Sequence, residues 1–558
     1  MSDRLIYLPL GGAGEIGMNA YVYGYGQPGK ERLIVVDLGV TFGNMETSPG
    51  IDLIMADVKW LEENRDRIEA IFITHAHEDH VGALGLLWPR IKAPIHTRRF
   101  TGAVAAYKME EAGQPTDMIH VHQPRPEVVQ AGPFAVQFVP ISHSIPESSA
   151  LIIDTPAGRI VHTGDFKLDG TPVVGEPFDP VIWHGIAGEG DGIKVLTCDS
   201  TNIFSPHPGR SEAVLANPLL DFVMHQKGMV VATTFASNIA RLKTLAEAGV
   251  AAGRKVCMLG RAMRRMLQTA LETGILTSFP PVISPEEAAE LPRNQVMLIV
   301  TGSQGERRAA TAQLSRGKYL GIELKDGDSF LFSSRTIPGN ERDVIRIMNN
   351  FSEHGVNVYD ADDGTYHVSG HANRPDIEAV HELLKPKIII PMHGEHMHLR
   401  EQAMIASDKG FASIIATNGK MVDITRDVPH IAEHVESGRT YLDGSVLIGA
   451  MDGVVRDRIR MALNGHALVS VIVDEDDALL PDAWVETMGL PERGRAGAPL
   501  IDQIESELGE FLERADDKTV ASDDRLEEAL RKITRQVSME EIGKKPEVSV
   551  VISRLAAD

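Results

Sequence analysis

The sequence predicts an α/β fold, α+β overall: a β-rich domain interrupted by an open parallel-sheet domain and followed by a small α+β domain. Three observations lead there. A chain of 558 residues exceeds what one hydrophobic core serves, so several domains are expected. Its middle alternates strand-length apolar runs with helical stretches, the pattern of a sheet covered by helices. The style before that middle, rich in strands, returns after it.

In order along the chain, LIVVDLGV, IEAIFITHAH, FAVQFVPISH and the pair SALIIDT and RIVHTGD read as strands, the last two joined by a Pro156-Ala157-Gly158 turn. VGALGLLWPRI reads as a short helix. From about Ser205 to Asp360, MVVATTF, KVCMLG, QVMLIVTG, DSFLFSS and VNVYDA are strand-length runs, separated by helices around Ile239–Ala252, Met263–Thr273, Glu306–Leu314 and Glu341–Glu353. Such sheets bind ligands at the carboxyl ends of their strands, where Thr233-Thr234, Gly302-Ser303-Gln304-Gly305 and Ser333-Ser334-Arg335 lie. After Asp360, KPKIIIPMHGE is a strand entering a polar loop, His396–Ser407 a helix, and FASIIATNGKMVDI a hairpin turning at Asn418-Gly419. The expected organisation is a first domain over 1–204, completed by 361–427, an inserted domain over 205–360, a linker over 428–450, and a C-terminal α+β domain over 451–558.

Composition is that of a globular protein, with 43% hydrophobic and 24% charged residues. The first residues carry Asp3 and Arg4 and lack a signal peptide's apolar core, and no apolar run is long enough to cross a bilayer. A cytoplasmic, membrane-free protein is expected. The only cysteines, Cys198 and Cys257, sit in apolar runs, which excludes a disulfide framework or a thiolate metal site. Any metal must be held by His and Asp. The net charge of −23 opposes a phosphate-rich partner. Against that, Arg254, Lys255, Arg261, Arg264, Arg265, Arg307 and Arg308 gather locally, either as a phosphate-binding face or as solvated helix surfaces.

The strongest signal is Thr74-His75-Ala76-His77-Glu78-Asp79-His80, directly after a strand and before a helix. His75 and His77 can point to one side of such a loop while Asp79 and His80 reach a second centre. Imidazoles and a carboxylate are the donor set of a catalytic zinc site with an open position. His143, Asp165 and His393 each end a later strand and extend the set. His96, His162 and His398 read as structural or surface residues.

This series, His75-x-His77-x-Asp79-His80, then His143, then Asp165, resembles the metallo-β-lactamase superfamily. The resemblance implies an αββα sandwich and two zinc ions per subunit, with Mn2+ or Mg2+ as alternative activating ions. One ion would take His75, His77 and His143, the other Asp79, His80 and His393, with Asp165 bridging. The inserted domain between Asp165 and His393 is similar to the β-CASP group of nucleases. That group's further motifs match Asp199 in Thr197-Cys198-Asp199-Ser200, His371 in His367-Val368-Ser369-Gly370-His371, and His393 itself. Within the group, LGGAGEIGMN, TTFASN, VTGSQGE, RTIPGNE and HVSGHA resemble bacterial ribonuclease J. The chain departs from that family around Ile95-His96-Thr97-Arg98-Arg99, and its C-terminal domain is more acidic than the family pattern.

The resemblance implies a zinc-dependent ribonuclease that trims single-stranded RNA from 5′-monophosphate ends with some internal cutting, in RNA decay and rRNA or mRNA maturation. Asp79, Asp199 and His371 would be catalytic, with His371, oriented by Asp199, protonating the leaving 3′ oxygen or holding the phosphate. His367, Val368, Ser369, Gly370 and His371 would line the cut phosphate. Ser237, Asn238, Arg261, Ser303, Ser334 and Arg335 are candidates for a 5′-phosphate pocket. The competing view makes His371 a packed histidine at the domain junction and the 302–306 and 333–341 stretches mere turns. A homodimer or homotetramer, and partners in a decay complex, are expected. The alternatives are a DNA-directed β-CASP nuclease, an inactive RNA-binding scaffold, and a small-ester hydrolase, for which the inserted domain would have no use.

Overall fold

The computed structural model of the chain describes residues 2–337, 339–361, 364–476 and 478–555, so Pro338 of RTIPGNE and the last three residues of the expected C-terminal domain lie outside it. Two compact units result, residues 1–41 with 54–439, and residues 42–53 with 440–558. Residues 42–53, expected within the first domain, group with the C-terminal unit instead. They are tied there by Asp52 N–H to Leu442 O at 3.0 Å and by Gly444 N–H to the Asp52 carboxylate at 3.0 Å.

Two sheets stack in the first unit. One runs in the order His430–His434, Lys420–Asp423, Arg4–Gly11, Ala20–Gly26, Arg32–Val36, Ile68–Phe72, Ile95–Thr97, Ile119–Val121. The other runs Val129–Ala131, Phe134–Pro140, Ser149–Thr155, Gly158–His162, Ile193–Asp199, Ile388–Met392, Ala412–Ser413. Tyr7, Tyr23, Ile34 and Phe72 from the first meet Phe138, Ile153, Ile160, Val195 and Ile390 from the second in one core. The alternate residues Ile152, Val161 and Leu196 turn outward onto Trp183 and Ile186 of helix Pro180–Gly188 and Ile377 and Val380 of helix Arg374–Leu384. Helix Arg99–Glu111 packs along the far strands of the first sheet. Strands covered on both faces must be apolar throughout, which is why they read as unbroken hydrophobic runs. The layering is αββα.

The inserted domain is a parallel sheet in the order Val282–Ile283, Lys255–Leu259, Val296–Val300, Val230–Thr233, Ser329–Phe332, Asn357–Tyr359. The α-helices between are Ile239–Ala251, Arg261–Glu272, Pro285–Glu290, Ala310–Ser315 and Glu341–Glu353. Its chain leaves after strand Ile193–Asp199 and returns to Ile388–Met392, and those two strands pair in parallel, Asp199 opposite Met392. The insertion therefore opens and closes at one edge of the sandwich.

Two readings of local structure change. The stretch around Asn418-Gly419 is not a hairpin: Ala412–Ser413 pairs with Ile388–Met392 in the second sheet, whereas Lys420–Asp423 pairs with Arg4–Gly11 in the first. Asn418 turns the chain from one sheet to the other, its side-chain oxygen accepting from Ala13 N–H at 3.0 Å. The expected linker over 428–450 carries strands His430–His434, Arg439–Asp443 and Val446–Gly449, each stabilised by pairing rather than by a buried apolar face. Its polar composition hid them.

In the second unit, strands Trp484–Met488, His466–Val473 and Glu547–Arg554 form a sheet. Ala467, Val469, Val471 and Val473 alternate inward onto Ile504 and Leu508 of helix Leu500–Leu512 and Leu526 and Leu530 of helix Asp523–Ile542.

The root of the insertion is a buried ion pair. Arg241, fully buried in helix Ile239–Ala251, forks onto the Glu212 carboxylate, with one arm at 3.0 Å. Its remaining N–H groups reach Ser333 O at 2.6 Å and His367 Nδ1 at 3.4 Å. Removing one partner of such a pair strands the other's charge, at a cost of roughly 3–5 kcal/mol. Glu212→Ala is expected to lower the urea midpoint of unfolding accordingly, and Glu212→Ala with Arg241→Met to recover most of that loss; equal stability of the single variant and the parent would contradict this account.

Candidate metal centre and active site

Each predicted donor follows a strand at the same edge of the sandwich: His75 after Ile68–Phe72, His143 after Phe134–Pro140, Asp165 after Gly158–His162, His393 after Ile388–Met392. Parallel register does the aligning, with His162 opposite Thr197 and Asp199 opposite Met392. The donor atoms of His75, His77, His143 and Asp165 lie within 4.8 Å of one another, as do those of Asp79, His80, Asp165 and His393. Asp165 is common to both groups. Its Oδ2 stands 3.8 Å from His75 Nε2, 3.7 Å from His143 Nε2, 3.3 Å from His80 Nε2 and 3.5 Å from His393 Nε2.

The inward nitrogens are selected by what binds the outward ones. His143 Nδ1 donates to Gly370 O at 2.6 Å, and His80 Nδ1 to Asp37 Oδ2 at 2.7 Å. His393 Nδ1 donates to Thr201 Oγ1 at 2.7 Å, because that hydroxyl spends its own proton on His393 O at 3.0 Å. These partners orient each ring with Nε2 toward Asp165, whose charge, with that of Asp79, raises the His80 and His393 rings above the usual imidazole range against the effect of burial. Burial, together with the neighbouring rings, holds His75 and His143 well below the usual imidazole range and His77 at about 4, so these rings are neutral. Burial works against charge on Asp79 and Asp165, yet the facing imidazoles keep both carboxyls well below their usual range.

A divalent ion fits this donor set. His75 Nε2 and Asp165 Oδ1 are buried without any hydrogen-bond partner, and His143 Nε2 faces His77 Nδ1 at 3.1 Å. Orphaned buried donors and acceptors of this kind are costly unless an ion completes them.

Beside the shared carboxylate, Asp165, Asp199, His371 and His393 form a third group within the same 4.8 Å limit. His371 Nδ1 donates to Asp199 Oδ2 at 2.7 Å, leaving Nε2 3.9 Å from Asp165 Oδ2. Burial opposes a charge on His371, but Asp199 and Asp165 raise it to about 9. Ser369 Oγ accepts from the Asn202 amide at 2.6 Å and from His371 N–H at 3.1 Å, which leaves its own proton to donate. His367 is kept neutral by burial and by Arg241 and Arg335, and Val368 is buried. Gly370 has no room for a side chain, since a Cβ there would meet Ser144 Oγ at 2.6 Å.

Four family models cover this architecture: the metallo-beta-lactamase superfamily over residues 14–202, the ribonuclease J beta-CASP domain over 227–351, the Zn-dependent metallo-hydrolase RNA specificity domain over 364–416, and the ribonuclease J C-terminal domain over 453–555. Ribonuclease J of Sinorhizobium meliloti is 38% identical over 99% of this chain and 98% of its own length. The chain belongs to the ribonuclease J family. Ribonuclease J of Thermus thermophilus is 34% identical over 85% of this chain and 83% of its own. A crystal structure of a protein of unknown function from Enterococcus faecalis shares the fold at a TM-score of 0.52 and 16% identity, covering 75% of this chain and 100% of that one. As a ribonuclease J family member, the chain is a metal-dependent ribonuclease that acts on RNA.

The remaining candidates in this ribonuclease J family chain sit at the carboxyl ends of the inserted sheet. Ser334 Oγ is buried without a partner, as is Thr234 Oγ1 on the neighbouring strand end. Ser303 is buried, Ser237 is half-buried, and Arg261 and Arg335 are exposed. Asn238 caps helix Ile239–Ala251, its side-chain oxygen accepting from Arg241 N–H at 2.9 Å. Arg254 is withdrawn from the expected basic face: its guanidinium donates to Gly228 O at 2.7 Å and Val296 O at 3.2 Å.

Sequence reasoning missed Asp37, Asn19, Thr201 and Arg241. Asp37 ends strand Arg32–Val36 at positive φ and binds both Thr74 and His80, so the strand-end logic applied to Asp165 would have found it. Asn19 Nδ2 lies 3.0 Å from Asp79 O and 3.1 Å from His80 Nε2. Gly39 lets this backbone pass, since a Cβ there would fall 1.6 Å from Asp79 O.

His77→Ala and Asp79→Ala are expected to lower bound divalent metal and remove RNA cleavage while far-ultraviolet circular dichroism is kept. Gly39→Ala, which changes no donor, is expected to weaken metal binding by roughly 10–100-fold through displacement of Asp79 and His80. Metal analysis after dialysis reads both, and parental metal content in all three variants would contradict the assignment.

Proposed function

We propose that this chain is a two-zinc exoribonuclease. It degrades single-stranded RNA from the 5′ end with preference for a 5′ monophosphate and some internal cutting, in cytoplasmic RNA decay and rRNA or mRNA maturation, as a homodimer or homotetramer. The observation that carries the reading is the His371–Asp199 pair beside a carboxylate shared by two donor groups. His75, His77 and His143 would hold one ion and Asp79, His80 and His393 the other, with Asp165 between them. Zinc bound there supplies Lewis acidity and an activated water at neutral pH.

The chain's own groups divide the remaining work. His371 donates Nδ1–H to Asp199, so a proton on Nε2 is aimed at the scissile phosphate for the leaving 3′ oxygen. The Ser369 hydroxyl and the neutral His367 ring add donors for non-bridging oxygens, whose growing charge they stabilise. Ser334 and Thr234 keep unpaired hydroxyls at neighbouring strand ends, and exposed Arg335 and Arg261 supply charge for a terminal phosphate. A 5′ monophosphate held there sets which phosphodiester reaches His371.

One RNA carrying a 5′ monophosphate, triphosphate or hydroxyl tests the reading. Mononucleotides should accumulate fastest from the monophosphate form, and a deoxy strand should be a poor substrate. His371→Ala is expected to slow cleavage by about 10²–10⁴-fold with metal content unchanged. Indifference to the 5′ group would sink the exonuclease preference, and equal turnover of the deoxy strand would sink the RNA specificity.

A further inference from the structure

A second group of imidazoles lies away from the centre, at the edge of the first sheet. Strands Ile95–Thr97 and Ile119–Val121 pair in parallel with His96 opposite His120. His122 follows two residues on, its N–H bound to Thr97 O at 2.8 Å, and alternation along an extended chain puts it on the same face as His120. The His96 ring lies 5.3 Å from His120 and 5.0 Å from His122 between centroids. His96 Nδ1 and His122 Nε2 face each other at 2.8 Å. Behind them, His122 Nδ1 donates to Glu127 Oε1 at 2.6 Å, so the lone pair of His122 is on the nitrogen turned to His96. Phe72 stacks on His96 at 5.1 Å and Phe138 on His122 at 6.2 Å, forming an apolar wall.

We infer that His96, His120 and His122 form a separate binding site for a borderline transition-metal ion, such as zinc, nickel or copper, with Glu127 as the carboxylate that orients His122. Imidazole is the ligand these ions share. A His-x-His pair on one strand with a third His on its neighbour can present three nitrogens to one point. A carboxylate on the far nitrogen of a ligating ring is the usual support of such sites. Burial and the two facing rings hold His96 at about 4, so it stays a neutral ligand at working pH.

Binding requires the rings to move, since the donor atoms of this trio are not already within 4.8 Å of one another as those of the centre are. Tetrahedral zinc with nitrogens at 2.0–2.1 Å sets them about 3.4 Å apart, so His96 and His122 must part by roughly half an ångström. Exposed His120 must turn out of its stack on His96 to aim a nitrogen inward, and solvent fills the fourth position. A hydrogen bond between His96 and His122, backed by Glu127, accounts for two of the rings but leaves the third imidazole without a role. An ion there would pin strand Ile119–Val121, the sheet's edge, to its neighbour.

Full-length protein, stripped of metal and dialysed against buffered micromolar free zinc, tests this by atomic spectroscopy. The parent should hold one ion more per chain than His96→Gln/His122→Gln, with RNA cleavage by the two unchanged. Glu127→Gln should weaken the additional site by about 10–100-fold. Cobalt in place of zinc should give the parent a tetrahedral visible band that the double variant lacks in part. Equal zinc content in parent and double variant overturns the inference. So does parental zinc affinity in His120→Ala, a change at an exposed ring that leaves the fold intact.

Discussion

The parallel pairing of Ile193–Asp199 with Ile388–Met392 is the constraint on which the rest of the first unit depends. The whole inserted domain lies between these two strands in sequence, yet they are neighbours in space. Closing so long a loop costs entropy that grows only logarithmically with its length, while the two strands bury Val195, Leu196, Ile389 and Ile390 completely. The register of that pairing does chemical work as well. It sets Thr201 against His393 and brings Asp199 next to the loop that carries His371. A one-residue slip would turn these side chains to the other face.

Asp165 then acts as the electrostatic centre. It is buried, and five imidazole nitrogens approach one of its oxygens while the other oxygen has no hydrogen-bond partner. Its charge is tolerable there only because cationic or cation-binding groups surround it. The rings that face it are held from behind by Asp37, Gly370 O and Thr201, and each of those lies on a different segment of the chain. His393 itself sits at φ 51, a conformation uncommon for a residue with a side chain. The bond from Thr201 to its carbonyl holds it there. The donor geometry is therefore set by several segments of the folded chain at once.

Much of this was legible because strand ends and donor residues coincide in the sequence. His75, His143, Asp165 and His393 each follow an apolar run, and a reader who knows that ligands gather at such ends can assemble them. What stayed hidden had no such marker. Asn238 reads from the sequence as a phosphate contact, and the fold adds a role as helix cap, its oxygen 2.9 Å from Arg241 N–H. Arg241 itself reads as a helix-surface arginine until the fold buries it against Glu212. The Asn418-Gly419 turn carried a correct turn signal, but the identity of the sheet on either side is a long-range fact.

Net charge misleads about the substrate for a related reason. A value of −23 describes the whole surface, but a phosphate at the active site feels mainly charges within a Debye length, about 8 Å at physiological ionic strength. Within the first unit, the carboxylates of the centre are those that bound cations would offset, and Arg261 and Arg335 are exposed at the carboxyl ends of the inserted strands. Arg254 and Arg241 contribute little outward field, because their guanidinium groups are spent on backbone carbonyls and on Glu212. The attraction for RNA thus rests on local groups of exposed arginines, Arg261, Arg264, Arg307, Arg308 and Arg335 among them, and on the ions themselves. An acidic chain can bind a polyanion on those terms, because carboxylates more than a Debye length from the active site repel it little.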